Sequence, residues 1–144
     1  MSNIHQIRSS LSKEKYLNSD HKLKSRLASK NIEIVRSKWM EACEIEKINL
    51  LKIYFKAMQS LVNLSREKGC GKCAHKYLLC GMRSYLLIKN AKNSPVRLSL
   101  RCAQYAKIFY AELIESLEKE NNHKDIASLK QEYSKSYCNL VLIN

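Results

Sequence analysis

Apolar residues recur every three or four positions along most of the chain, which is the spacing of one face of an α-helix. The clearest such stripe comprises Ile48, Leu51, Phe55, Met58 and Val62. Only three glycines and one proline occur in 144 residues, so little material is available for tight turns. The pattern predicts an all-α protein, a single compact helical bundle of five or six helices that forms one domain over residues 1–144.

The first half of the chain predicts two helices after a weakly apolar start. Residues 1–18 carry one modest apolar stripe, so we expect this segment to fray or to be loosely attached. The stripe loses phase near Asn31, whose side chain can cap a new helix. We therefore expect helices at about 20–29 and 31–66, because one helix of the combined length would be unusual in a globular protein.

The joints of the fold are expected between residues 69 and 95, where all the glycines and the proline lie. A loop at 67–72 should precede a helix at about 73–91 that is apolar on nearly every side. A helix without a wide polar face normally packs at the centre of a fold. Gly81 lies in the middle of this helix, and we interpret it as a crossing point at which another backbone approaches closely.

Two further helices are predicted in the last third of the chain. Ser94 and Pro95 are typical of a helix start, and that helix should run to about Glu120. A last helix should begin near Lys124 and end in the apolar tail Leu140-Val141-Leu142-Ile143, which either completes the core or awaits a partner. The core is expected to contain Trp39, Phe55, Leu79, Leu86, Leu100 and Phe109.

The strongly positive net charge favours binding of a negatively charged partner. The net charge is +13, and residues 66–107 contain ten Lys or Arg against one acid. Because the helix at 73–91 is otherwise apolar, its charges should share one solvent edge with the start of the next helix. This basic face, from Arg66 to Lys107, is predicted to bind its partner through Lys76, Arg83, Lys89, Lys92, Arg97 and Arg101.

The basic face has three interpretations, since charge alone does not name a partner. The first is an acidic protein partner, which would make the chain a non-catalytic interaction or adaptor protein. The second is nucleic acid bound through its phosphates, although clear exposed aromatic residues for base stacking are missing from the pattern. The third is a solvated surface with no ligand. An acidic patch at Glu112, Glu115, Glu118 and Glu120 would also allow a homodimer that pairs acidic with basic faces.

The six cysteines suggest a compartment and one weak metal site. No secretory signal pattern and no apolar run long enough to span a membrane occur, so we expect reduced thiols in the cytoplasm. Cys70 and Cys73 form a Cys-x-x-Cys pair with a glycine inside it, a form that zinc sites use. The pair lacks two further ligands at a matching spacing, so a small zinc-stabilised module is only the second alternative, and we predict no metal.

Catalytic motifs are missing from the sequence. The four histidines are scattered, and neither a glycine-rich phosphate loop nor a Gly-x-Ser-x-Gly elbow occurs. Cys73 and His75 are two residues apart, a spacing at which helical side chains point in different directions. The sequence therefore predicts a protein that is not an enzyme and that needs no cofactor.

Overall fold

The computed structural model describes the backbone of residues 2–89 and 95–143, and the side chains of residues 20–88 and 95–137. Over these ranges the chain forms α1 (Ser2–Lys38), a 3₁₀ turn (Trp39–Glu41), α2 (Glu44–Glu67), α3 (Gly71–Met82), α4 (Tyr85–Lys89), α5 (Val96–Lys119) and α6 (His123–Ile143). Helix α1 packs on α2, α3 packs on both α2 and α5, and α6 packs on α5. The described ranges contain helices and no strand, which confirms the predicted all-α bundle.

The first break in the helices comes later than the sequence predicts. Helix α1 continues through Asn31 and ends at Lys38, so the expected helices at 20–29 and 31–66 are wrong. The buried face of this region comprises Ala28, Ile32, Val35 and Trp39. These residues are spaced by four, three and four, which keeps one face towards the core without interruption. The expected loose attachment of residues 1–18 lies outside the described side chains.

The true break lies at Ala42 and Cys43, whose backbone is extended. Glu44 and Glu46 lie in the first turn of α2, where carboxylates interact favourably with the positive end of the helix dipole. Acidic residues at a helix start are therefore the sequence signal that marks this boundary. The phase change near Asn31 was the weaker signal of the two.

The helix predicted at 73–91 is divided in two. Helix α3 ends at Met82, a turn follows at 83–84, and α4 begins at Tyr85. Because of this turn, α4 does not continue the register of α3. Leu86 is consequently 50% exposed, although its spacing predicted a core position.

Polar contacts from α5 and α6 hold this turn. The Tyr137 hydroxyl donates a hydrogen bond to the Met82 carbonyl at 2.7 Å and accepts one from the Tyr85 N–H at 3.1 Å. The Ser84 hydroxyl lies 3.3 Å from the Cys102 sulfur. The backbone groups at the break thus find partners in neighbouring helices, as buried polar groups must.

The centre of the fold is the crossing of α3 and α5. A Cβ atom added at Gly81 would lie less than 3.0 Å from three ring atoms of Phe109. The predicted crossing point is confirmed, although an aromatic ring rather than a backbone makes the close approach. Phe109 in turn packs on Phe55, with ring centroids 5.4 Å apart.

Four of the six predicted core residues pack in or against this core, and Leu86 and Leu100 are the exceptions. Trp39, Phe55 and Phe109 are buried, whereas Leu79 and Leu100 are half-buried. The C-terminal helices match the prediction within a residue, with α5 beginning after Pro95 and α6 at His123.

Two predictions in the second half of the chain concern residues that the structure does not describe. The proposed cap Ser94 and the side chains of the 140–143 tail lie outside the described residues. Within the described ranges, the search for a helix that is both long and apolar enough to cross a membrane finds none.

Candidate functional site

A groove of about 500 Å³ lies where the end of α1, the 3₁₀ turn, α2, α3 and α4 meet. A cavity of this size can hold a small ligand or the anchoring side chains of a partner. Two of the six predicted basic-face residues, Lys76 and Arg83, line it. Its full lining is Arg36, Trp39, Met40, Tyr54, Lys76, Leu79, Cys80, Arg83, Leu86 and Leu87. We call this site the basic groove.

Two of the apolar side chains that line the basic groove are exposed to solvent. Met40 is 74% exposed in the 3₁₀ turn, and Leu86 is 50% exposed on α4. Trp39 lies beside them but is buried, and among the described residues its indole N–H has no hydrogen-bond partner. Adjacent apolar side chains left in water are typical of surfaces that bind something else.

The floor of the groove is uncharged. The Tyr54 hydroxyl donates a hydrogen bond to the Cys80 carbonyl at 3.3 Å, which ties α2 to α3. Burial raises the pKa of Tyr54 to about 12, so the phenol stays neutral at physiological pH. The floor therefore offers apolar contact and no competing negative charge.

Cations surround this apolar floor. Arg36 and Lys76 are exposed, and the Lys47 ammonium lies 5.7 Å from the centroid of the Trp39 ring, within range of a cation–π interaction. No carboxylate occurs among the ten described residues that line the groove. The basic groove therefore combines positive charge with exposed apolar surface, which suits an acidic and partly apolar ligand.

Arg83 is not a freely available cation, because Glu132 of α6 already holds it. Its Nε donates to both carboxylate oxygens at 3.2 and 3.0 Å, and its Nη2 donates to Oε1 at 3.0 Å. These hydrogen bonds raise the pKa of Arg83. A ligand carboxylate approaching Arg83 would have to compete with Glu132, so binding through Arg83 stays a prediction that this ion pair opposes.

The remaining predicted binding residues do not join the groove. Arg97 and Arg101 are exposed on α5 but do not line it. The side chain of Lys89 and the whole of Lys92 lie outside the described residues. The stretch from Arg66 to Lys107 is therefore broader than the site that the geometry brings together.

Sequence analysis missed Arg36 because it lies far outside that stretch. A signal was nevertheless present, since Arg36 precedes Met40 by four residues, a spacing that places two side chains on one side of a helix. Arg66 itself pairs with Glu112 of the predicted acidic patch, at 3.9 Å. That contact is within one chain, so Glu112 is partly engaged and is a weaker candidate for contact with a second copy.

The cysteines differ from the expectation of six reduced thiols. Cys70 and Cys73 are joined by a disulfide, whereas Cys43, Cys80 and Cys102 are free. Cys102 is fully buried, and burial raises its pKa to about 11. Cys138 lies outside the described side chains.

The disulfide also bears on the zinc alternative. A disulfide sulfur is no longer the thiolate that zinc requires. The search for three or more His, Cys, Asp or Glu side chains that could hold a metal finds none within the described part of the chain. In the disulfide form, Cys70 and Cys73 offer no thiolate to a zinc ion.

Comparison of the chain with protein-family models, with curated proteins and with solved structures finds no match. The basic groove brings together side chains from four helices and the 3₁₀ turn, among them cations and exposed apolar residues.

Proposed function

We propose that this protein is a non-catalytic helical interaction protein that binds an acidic segment of a protein partner in the basic groove. The observation that carries the proposal is the pairing of exposed Met40 and Leu86 with a cationic rim that contains no carboxylate among its described residues. An apolar anchor of the partner would contact these two side chains. Its acidic residues would then face Arg36 and Lys76.

This arrangement favours a protein over nucleic acid as the partner. Protein interfaces centre on desolvated apolar anchors with charges at their rim. Proteins that bind single strands instead present aromatic rings on which bases stack. The groove's aromatic residues, Trp39 and Tyr54, are each only 4% exposed and offer no such platform. Nucleic acid on the wider basic face remains the competing proposal that the experiment has to separate.

The proposal includes action in the cytoplasm. Its support is that Cys43, Cys80 and Cys102 carry free thiols, which fit a reducing compartment. An exposed disulfide in that compartment is usually transient rather than structural. The cysteine pattern is therefore compatible with this location if the pair Cys70–Cys73 is reversible.

The test is selection of short peptides from a random displayed library on the purified protein. We expect enriched peptides to carry Asp or Glu beside a large apolar residue. Binding of a synthetic selected peptide should weaken about tenfold or more, or 1.4 kcal/mol, in Lys76→Glu and in Leu86→Ser. Lys52→Glu is the matched control, because Lys52 is exposed on α2 and does not line the groove.

Two results would contradict the proposal. One is a selection without acidic enrichment, or a loss in Lys52→Glu equal to that in Lys76→Glu. The other is tight binding of a short DNA duplex or RNA strand that falls steeply with salt, is abolished by Lys76→Glu and is untouched by Leu86→Ser. That second pattern would identify a phosphate-binding surface, because affinity carried by phosphates depends strongly on salt.

A further inference from the structure

The disulfide between Cys70 and Cys73 lies at the N-terminus of α3. Cys70 is the N-cap residue, and its sulfur accepts a hydrogen bond from the Cys73 N–H at 3.3 Å. The two Cα atoms are 5.4 Å apart, with only Gly71 and Lys72 between the cysteines. The bond therefore links two positions of one turn and joins no separate elements of the fold.

The turn is closed without the disulfide. The Cys70 N–H donates to the Ser65 carbonyl at 2.8 Å, and the Ala74 N–H donates to the Cys70 carbonyl at 3.1 Å. A cross-link over so short a loop also removes less entropy from the unfolded chain than one between distant segments. A purely structural role thus accounts poorly for this bond.

The surroundings favour thiol chemistry. Cys73 is exposed and Cys70 half-exposed, so a reacting sulfur can approach from solvent. Lys68, Lys72 and Lys76 lie close in sequence and are all exposed. Positive side chains and the free N–H groups at a helix start both stabilise a thiolate, the form that attacks and leaves in thiol–disulfide exchange.

Among the described cysteines, only Cys70 and Cys73 are joined by a disulfide. Cys43 is exposed and free, and half-buried Cys80 is also free, so neither of these two described cysteines is joined to another sulfur. The pair differs from them in having a partner sulfur within reach and a cationic helix start. We propose that Cys70 and Cys73 form a redox-active pair that exchanges electrons with protein or small-molecule thiols.

In the direction of substrate oxidation, a substrate thiolate attacks the exposed Cys73 sulfur. The bond between the two cysteine sulfurs breaks, and its electron pair leaves on Cys70 as a thiolate held by the Cys73 N–H. A second substrate thiolate then attacks the substrate sulfur of the mixed disulfide, which releases Cys73. Two electrons have moved to the pair, and the substrate dithiol has become a disulfide.

The reverse direction reduces a substrate disulfide. Cys73 then attacks, Cys70 displaces the substrate from the mixed disulfide, and a small-molecule thiol reduces the pair again. This activity uses no residue of the peptide-binding proposal as a reacting group. It therefore stands or falls separately from that proposal.

The first experiment measures reversibility in the native protein. The protein is equilibrated with graded ratios of reduced to oxidised glutathione, and free thiols are trapped by alkylation. The masses of its proteolytic peptides are then measured by mass spectrometry. We expect Cys70 and Cys73 to change together between the oxidised and reduced forms in both directions, with an unchanged helical circular dichroism spectrum. A pair that is reduced only when the helical signal is lost would overturn the proposal.

The second experiment measures turnover as the reduction of insulin disulfides by dithiothreitol. We expect the protein to accelerate the reaction, the Cys70→Ser, Cys73→Ser double variant to lose the acceleration, and Cys43→Ser to retain it. The Cys70→Ser variant, reduced and then freed of dithiothreitol before insulin is added, should accumulate a mixed disulfide between insulin and Cys73, because the resolving thiol at position 70 has been removed. Serine is a good N-cap residue, so this variant should keep its fold, and circular dichroism checks it.

Each outcome of the second experiment decides the proposal. Acceleration retained by the double variant, or lost equally in Cys43→Ser, would overturn it. So would a folded Cys70→Ser variant that forms no mixed disulfide.

Discussion

The two ends of α3 are built in opposite ways. At its start, Gly71 has open space where a side chain would go, and exposed cysteines and lysines surround it. At its end, Gly81 is pressed against Phe109, and Tyr137 reaches across from α6 to the last carbonyl of the helix. One end is accessible and positively charged, and the other is fixed by buried contacts from two helices. The comparison suggests that the fixed end holds the basic groove in shape while the accessible end is free to react.

The largest loss of stability is expected at the fixed end from Tyr137→Ala. Tyr137 is 1% exposed, and its ring packs edge-on against Tyr85. Removing a buried aromatic ring costs about 3–5 kcal/mol of unfolding free energy. Urea unfolding followed by circular dichroism measures the change.

Tyr137→Phe separates the ring from the hydroxyl. It should cost less, about 1–3 kcal/mol, because it leaves the Met82 carbonyl and the Tyr85 N–H without their partner. A phenylalanine variant as stable as the parent chain would show that the hydroxyl contacts do not hold the turn.

The next largest effect is expected from Gly81→Ala. Alanine favours a helix over glycine by about 1 kcal/mol, so an open site would become more stable. Here the new methyl group would meet the Phe109 ring, and overpacking a core costs about 1–3 kcal/mol. We expect net destabilisation, and Gly71→Ala at the accessible end is the control because nothing lies within 4 Å of its Cβ position. Equal changes in the free energy of unfolding for Gly81→Ala and Gly71→Ala would show that the two ends of α3 do not differ in packing.

Sequence patterns predicted the parts of the fold that local spacing controls. The helical stripe from Ile48 to Val62, the helix start after Pro95 and the close approach at Gly81 are all present. The turn at 83–84 was missed because Gly81, two residues before it, was interpreted as a crossing point in the middle of a helix and not as the sign of a helix end. Cys102 contacts the turn from 18 positions away and Tyr137 contacts its flank from 55 positions away, and local spacing carries no information on such contacts.

The candidate site was predictable only in part for the same reason. Lys76 was identified because a run of cations is visible in the sequence. The apolar half of the groove depends on Leu86 being exposed, which follows from the missed turn. The pairing of Arg83 with Glu132 joins residues 49 positions apart, so no spacing rule could have found it.

A smaller effect is expected at the accessible end from replacing Cys70 and Cys73 together with serine. The cross-link closes a very short loop, so its loss should cost at most about 2 kcal/mol in the loop-entropy description. The serine at position 70 can still cap α3, which offsets part of that cost. Thermal unfolding under non-reducing conditions checks this. A loss as large as that of Tyr137→Ala would mean that the disulfide is structural, and would weaken the case for a reactive pair.

The smallest stability change, and the one most informative about binding, is expected from Glu132→Gln. The ion pair with Arg83 is partly exposed, so solvent screening limits its contribution to about 0.5–1 kcal/mol. Loss of the carboxylate would leave Arg83 with a neutral, weaker acceptor and make the guanidinium available to the basic groove. An acidic peptide selected on the parent protein should therefore bind Glu132→Gln more tightly, while a peptide with its acids changed to amides should not. Tighter binding is expected only if Arg83 contributes to the groove, since Glu132 itself does not line it.

Lys119 and Glu115 form an exposed pair on α5 away from the groove, so Glu115→Gln is the matched control for the general effect of removing one negative charge. Two results would contradict this expectation: unchanged affinity in Glu132→Gln, or an equal gain in affinity in Glu115→Gln. Arg83 would then serve only to hold α6 against the end of α3, and Arg36 and Lys76 would be the cations of the groove.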